Sequence, residues 1–175
     1  MTCQAEQIQS FGGYVHTRFA RARAFKDSSM NTITRGMVAG LVATILLSAI
    51  MMGEFAMRVM PALDPVCMIA NIISTSMAMG WVIHFMIGTI IWGDPFAGVH
   101  KVLSGSQPWI KGAIFGVGAS LLMMVAVMPM TGAGLFGMQM GMMAPVMTLV
   151  LHLIYGAVLG AVYGAVPSNT ATVAQ

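Results

Sequence analysis

Residues 112–167 read GAIFGVGASLLMMVAVMPMTGAGLFGMQMGMMAPVMTLVLHLIYGAVLGAVYGAVP, and no Lys, Arg, Asp or Glu occurs in them or in the remaining residues to Gln175. A stretch that long without charge does not stay dispersed in water. It holds two apolar runs, Gly112 to Pro129 and Ala144 to Val166, parted by Thr131-Gly132-Ala133-Gly134. The hydrocarbon core of a bilayer, about 30 Å thick, takes about 20 residues of helix, so each run can cross it. Two more lie upstream. One spans residues 66–93, entered through Asp64-Pro65, where Asp can cap a helix and Pro can take its first position. The other spans residues 36–60. Backbone amides in lipid must be bonded internally, which selects helices. The expectation is an all-α integral membrane protein of four transmembrane helices, comprising residues 35–166, after a basic segment 1–34 and before a tail 167–175.

Composition agrees with lipid as the solvent: 58% of residues are hydrophobic and 7% charged. The net charge of +3 arises mainly from Arg18, Arg21, Arg23, Lys26 and Arg35, ahead of the first span. Lys101 and Lys111 fall between spans two and three, while the opposite side keeps only Arg58. By the positive-inside rule both termini face the cytoplasm, and the positive charge is a topology signal with no bearing on nucleic acid. Cys3 and Cys67 lack the spacing of a zinc site and read as free thiols.

Comparing the spans exposes an internal repeat. Span one opens Arg35-Gly36-x-x-x-Gly40 and span three opens Lys111-Gly112-x-x-x-Gly116. Span two contains His84-x-x-x-Gly88, and span four His152-x-x-x-Gly156, prolonged by Gly160 and Gly164. Residues four apart share a helix face, so these eight glycines form ridges that admit a neighbouring backbone. The repeated unit is a helical hairpin, and two in the same orientation predict a pseudo-two-fold axis along the membrane normal. The basic-Gly-x-x-x-Gly opening, Trp81-x-x-His84-x-x-x-Gly88 and His152-x-x-x-Gly156 resemble a group of small four-helix bacterial inner-membrane proteins with no established activity. The resemblance covers about Thr34 to Gly164. It implies the fold and the bacterial inner membrane, and brings no catalytic residues.

His84 and His152 are ionisable groups inside spans, where such residues are rare and often functional. From Gly93 and Gly164 they lie roughly 13 and 18 Å deep at 1.5 Å per residue. Facing each other, they could ligate haem b, with the glycines one turn away admitting the macrocycle. Alternatively each satisfies a carbonyl or hydroxyl of a neighbouring helix. Of 20 methionines, Met128, Met130, Met138, Met140, Met142 and Met143 crowd the second outer loop. Thioethers suit Cu(I), but Met also fills irregular apolar contacts. Glu54 stands four residues before Arg58, the spacing of a helical ion pair.

No phosphate loop, H-E-x-x-H, G-x-S-x-G or close carboxylate pair is present, so the chain is read as non-catalytic. The expected role is an accessory or assembly subunit of a larger membrane complex, respiratory or copper-dependent. Its partners would be the lipid bilayer and other membrane subunits or further copies of itself. The alternatives are a haem or Cu(I) protein and a small transporter, and the sequence favours neither cofactor over none.

Overall fold

An unbroken apolar run after Thr32 forms the first helix, α1 (Thr32–Ala56), whose 25 residues span about 37 Å. The computed structural model describes residues 30–58 and 63–167. Met60, Cys3, the basic residues Arg18 to Lys26, nearly all of the N-terminal segment and the C-terminal tail beyond Pro167 lie outside the described residues. Helix α1 ends two residues before Arg58, whose backbone turns to a positive φ of 55°. The regular i,i+4 geometry expected to pair Glu54 with Arg58 is therefore not kept.

The predicted second span is divided. Asp64 Oδ1 accepts the amides of Val66 and Cys67 at 3.0 Å each, and with Pro65 in the first turn this starts a short helix, α2 (Pro65–Ile72). Ser74, at φ 52°, then reverses the chain, and Ser76 caps a new helix through the Met79 amide. Helix α2 folds back on the first turns of that helix, where Gly80 leaves no room for a side chain against Val66 and Ala70. The membrane-length helix is α3 (Met77–Val99), and it continues six residues past the predicted end at Gly93. Asp94 does not stop it, because the backbone stays helical through Trp92 and Gly93.

Helix α4 (Pro108–Met130) begins four residues before the predicted Gly112, with Pro108 in the position that needs no amide bond. A π-helical turn at Met123–Val127 widens the backbone just ahead of Pro129, and the helix passes through the proline. A turn segment (Leu135–Met140), kinked where Phe136 and Gly137 take positive φ of 58° and 71°, leads into α5 (Met143–Ala165). Among the described residues, α1, α3, α4 and α5 are the four helices long and apolar enough to cross a membrane. Their exteriors present Ile45, Val82, Leu121 and Val150 in the open, which suits hydrocarbon and not water.

One end of the bundle is basic and aromatic. Arg35 Nη2 donates to the Tyr163 carbonyl at 2.6 Å, and its guanidinium lies 4.4 Å from the centre of the Tyr163 ring. Lys111 Nζ donates to the His100 carbonyl at 3.1 Å. Phe96 packs edge-on against both Phe115 and Tyr163, with ring centres 5.4 Å apart in each case. These contacts join the starts of α1 and α4 to the ends of α3 and α5. At the other end Met124, Met128 and Ala133 form a second apolar cluster with Leu63, Met68, Met140 and Leu149 around it.

Candidate functional site

The intramembrane histidines are placed by different helices. His84, on α3, has its Nε2 3.2 Å from the Ser48 hydroxyl of α1, and the Trp81 and Phe85 rings stand nearly perpendicular to its imidazole. His152, on α5, has Nδ1 2.8 Å from the carbonyl of Thr148 one turn earlier. A carbonyl only accepts, so Nδ1 is the protonated nitrogen and Nε2 keeps its lone pair. Anchoring one ring nitrogen in this way fixes the tautomer of a histidine and leaves the other nitrogen as the base, as in ligating histidines.

Both imidazoles line one chamber of about 170 Å³ inside the bundle. Thr44, Leu47 and Met51 of α1, Met123 and Val127 of α4, and Thr148 and Tyr155 of α5 complete much of its wall. Counted from the helix ends, His84 is fifteen residues from Val99 and His152 thirteen from Ala165. At 1.5 Å per residue these are depths of about 22 and 20 Å. The unequal depths expected from the sequence become nearly level because α3 runs on past Gly93.

The chamber is made where two helices depart from α geometry. A π segment (Ile87–Trp92) in α3 contributes Ile87, Gly88 and Trp92, and the π turn of α4 contributes Met123 and Val127. Such turns free backbone carbonyls and are frequent at functional sites. The Tyr155 hydroxyl donates to the Gly88 carbonyl at 2.5 Å and so satisfies one group of the π segment. Thr44 is satisfied by its own helix, donating to the Gly40 carbonyl at 2.7 Å. The Thr148 hydroxyl is different. It is 3% exposed, lines the chamber and has no hydrogen-bond partner. Leaving such a group unbonded costs about 1–3 kcal/mol.

All eight glycines singled out by spacing face a neighbouring element. A Cβ at Gly36 would meet the Gly93 carbonyl at 2.5 Å, and one at Gly40 the Gly88 carbonyl at 2.6 Å. Gly112 and Gly116 likewise abut the backbone of Gly156 and His152, Gly160 abuts Pro108 and Gly112, and Gly164 abuts the Pro108 ring. The space above Gly88 is filled by Thr44. The slots that a haem macrocycle would use beside the histidines are thus occupied by neighbouring helices. The chamber is also smaller than the roughly 300 Å³ at the lower limit of ordinary ligand pockets. It suits an ion or a very small molecule.

The six loop methionines do not converge. Met128 is fully buried, and its Sδ and the Met140 methyl both lie over Gly137, whose φ of +71° and missing Cβ make room for them. Met130, Met138, Met142 and Met143 are exposed. Other methionines, Met51 and Met123, line the chamber together with the histidines. Sequence reasoning missed them, along with Ser48, Thr148 and Tyr155 as partners of the site. Met123 lies in the π turn of α4, where an i,i+4 rule no longer assigns faces. Ser48, Met51, Thr148 and Tyr155 stand on regular helix, where a hydroxyl or thioether among apolar residues does not by itself mark a partner on another helix.

Geometry and composition together define a four-helix, multi-pass membrane protein with a small imidazole-lined chamber between its spans. The chain belongs to the DUF6789 family, a family of unknown function that matches residues 30–173. No curated protein and no solved structure matches it.

Proposed function

We propose that the chain is a non-catalytic accessory protein of the bacterial inner membrane that holds a soft monovalent metal ion, Cu(I), within its bundle for a copper-dependent membrane complex. The observation behind this reading is the set of residues that line the chamber: His84 and His152 with the thioether-bearing Met51 and Met123. Every donor is neutral. Among the described residues no group of three or more His, Cys, Asp or Glu gathers anywhere. A divalent ion placed among neutral donors in hydrocarbon would lack counter-charge, at a large solvation cost, whereas a monovalent soft ion needs less and prefers nitrogen and thioether sulfur.

Both termini are proposed to be cytoplasmic, since Arg35, Lys101 and Lys111 sit at one end. The spans read as two parallel-repeated hairpins. In support, Gly36 and Gly40 of α1 close on Gly93 and Gly88 of α3, and Gly112 and Gly116 of α4 close on Gly160 and Gly156 of α5. The methionine-rich end then faces the outer side.

A competition titration of the purified protein against a chromophoric Cu(I) chelator under reducing conditions tests the function. One high-affinity ion per chain is expected, lost in the His84→Ala/His152→Ala double variant. It should be retained when Met138, Met140, Met142 and Met143 are all replaced by Leu. A wild type that takes no Cu(I) from the chelator removes the reading.

A further inference from the structure

A second hollow adjoins the first. Between the last turns of α1 and the hairpin of α2 with α3 lies an open groove of about 440 Å³, with Glu54, Phe55, Asp64, Met77 and Trp81 in its lining. Met51 and Leu63 line this groove and also line the histidine chamber. Trp81, in the groove, packs its ring edge-on at 5.8 Å against the His84 imidazole, in the chamber. Met51, Leu63 and the Trp81–His84 ring contact therefore stand where the two hollows meet.

Their chemistry differs in a directed way. The groove holds two carboxylates, Glu54 and Asp64, and among the described residues none lines the chamber. Asp64 is fixed by its Oδ1 bonds to the first amides of α2. Arg58, the nearest base in sequence, is not part of the lining. Carboxylates at an open mouth with apolar walls concentrate cations there. Behind them, Met51 has a flexible thioether, able both to swing and to bind a soft ion on the way.

We infer that the groove is the entry vestibule of the histidine chamber, and that a small cation passes from Glu54 and Asp64 to the imidazoles by displacing the Met51 and Leu63 side chains. The passage is ligand exchange alone, with no change in the oxidation state of the ion. Its cargo rests on the metal reading above, but the route can be measured without any metal.

With Cys3 and Cys67 replaced by Ser, Thr148→Cys puts a thiol in the chamber wall. Its modification in detergent by cationic aminoethyl methanethiosulfonate is compared with that by the neutral methyl reagent. The route predicts that both reagents react, that Leu63→Trp slows both by at least an order of magnitude, and that Glu54→Gln lowers the cationic rate relative to the neutral one. Leu63→Phe serves as the milder block should the Trp variant fail to elute as a single species. An unreactive Thr148→Cys, or rates untouched by folded variants at Leu63, would overturn the route. A reactive, gated thiol in a protein that binds no Cu(I) would sustain the route and sink the metal reading, so the two failures are distinguishable.

Discussion

Ser48 illustrates how much a single hydroxyl can decide here. It is buried, and it is the hydrogen-bond partner of His84 across the α1–α3 contact. Groups that orient a ligating imidazole are worth about 10–100-fold in metal affinity. Ser48→Ala should weaken Cu(I) binding by that order in the chelator competition, with an unchanged elution profile. Ser48→Thr, which restores the hydroxyl, should recover most of it. If Ser48→Ala leaves affinity intact, His84 is held by packing alone and is not an oriented ligand. The two histidines were legible in the sequence because an ionisable residue in an apolar run is conspicuous. Ser48, Thr148 and Tyr155 were not, since hydroxyl side chains in membrane helices usually bond within their own turn, as Thr44 does.

Among elements, the π segment of α3 explains a contact that spacing misplaces. In the second hairpin the facing glycines, Gly156 and Gly160, are four apart, as a regular helix demands. In the first they are Gly88 and Gly93, five apart, because the π segment between them inserts one extra residue in the turn. Trp92, where an i,i+4 rule looks for the small residue, instead lines the chamber and packs on Phe115. A test with opposite signs follows. Gly93→Ala drives a methyl into the Gly36 carbonyl and should destabilise the bundle by about 1–3 kcal/mol. Gly98→Ala meets nothing within 4 Å and should be neutral or stabilising by up to about 1 kcal/mol. Unfolding in graded denaturing detergent would compare them, and equal effects would mean that the Gly36–Gly93 crossing is not a close contact.

At the level of the whole molecule, span number was legible because hydrocarbon thickness fixes helix length, and the four spans appear in the structure within a few residues except in α3. The second stretch, residues 66–93, is long enough either to tilt or to begin with a turn, and the structure takes the turn, at Ile73–Ser76. Orientation belongs to this scale too. One span separates Cys3 from Cys67, so an impermeant thiol reagent applied to intact cells should spare a Cys3-only variant and label it only after lysis. Labelling before lysis would reverse the proposed topology, and with it the side on which the Glu54 groove opens.

On the proposed function the paired histidines hold the ion, and the methionines of the loop do not. X-ray absorption at the copper edge of the Cu(I)-loaded protein distinguishes the two directly, since imidazole adds nitrogen and outer-ring carbon scattering that thioethers lack. Mixed nitrogen and sulfur ligation is expected, with the imidazole scattering lost in His84→Ala/His152→Ala. A sulfur-only shell that persists unchanged in that double variant would contradict it.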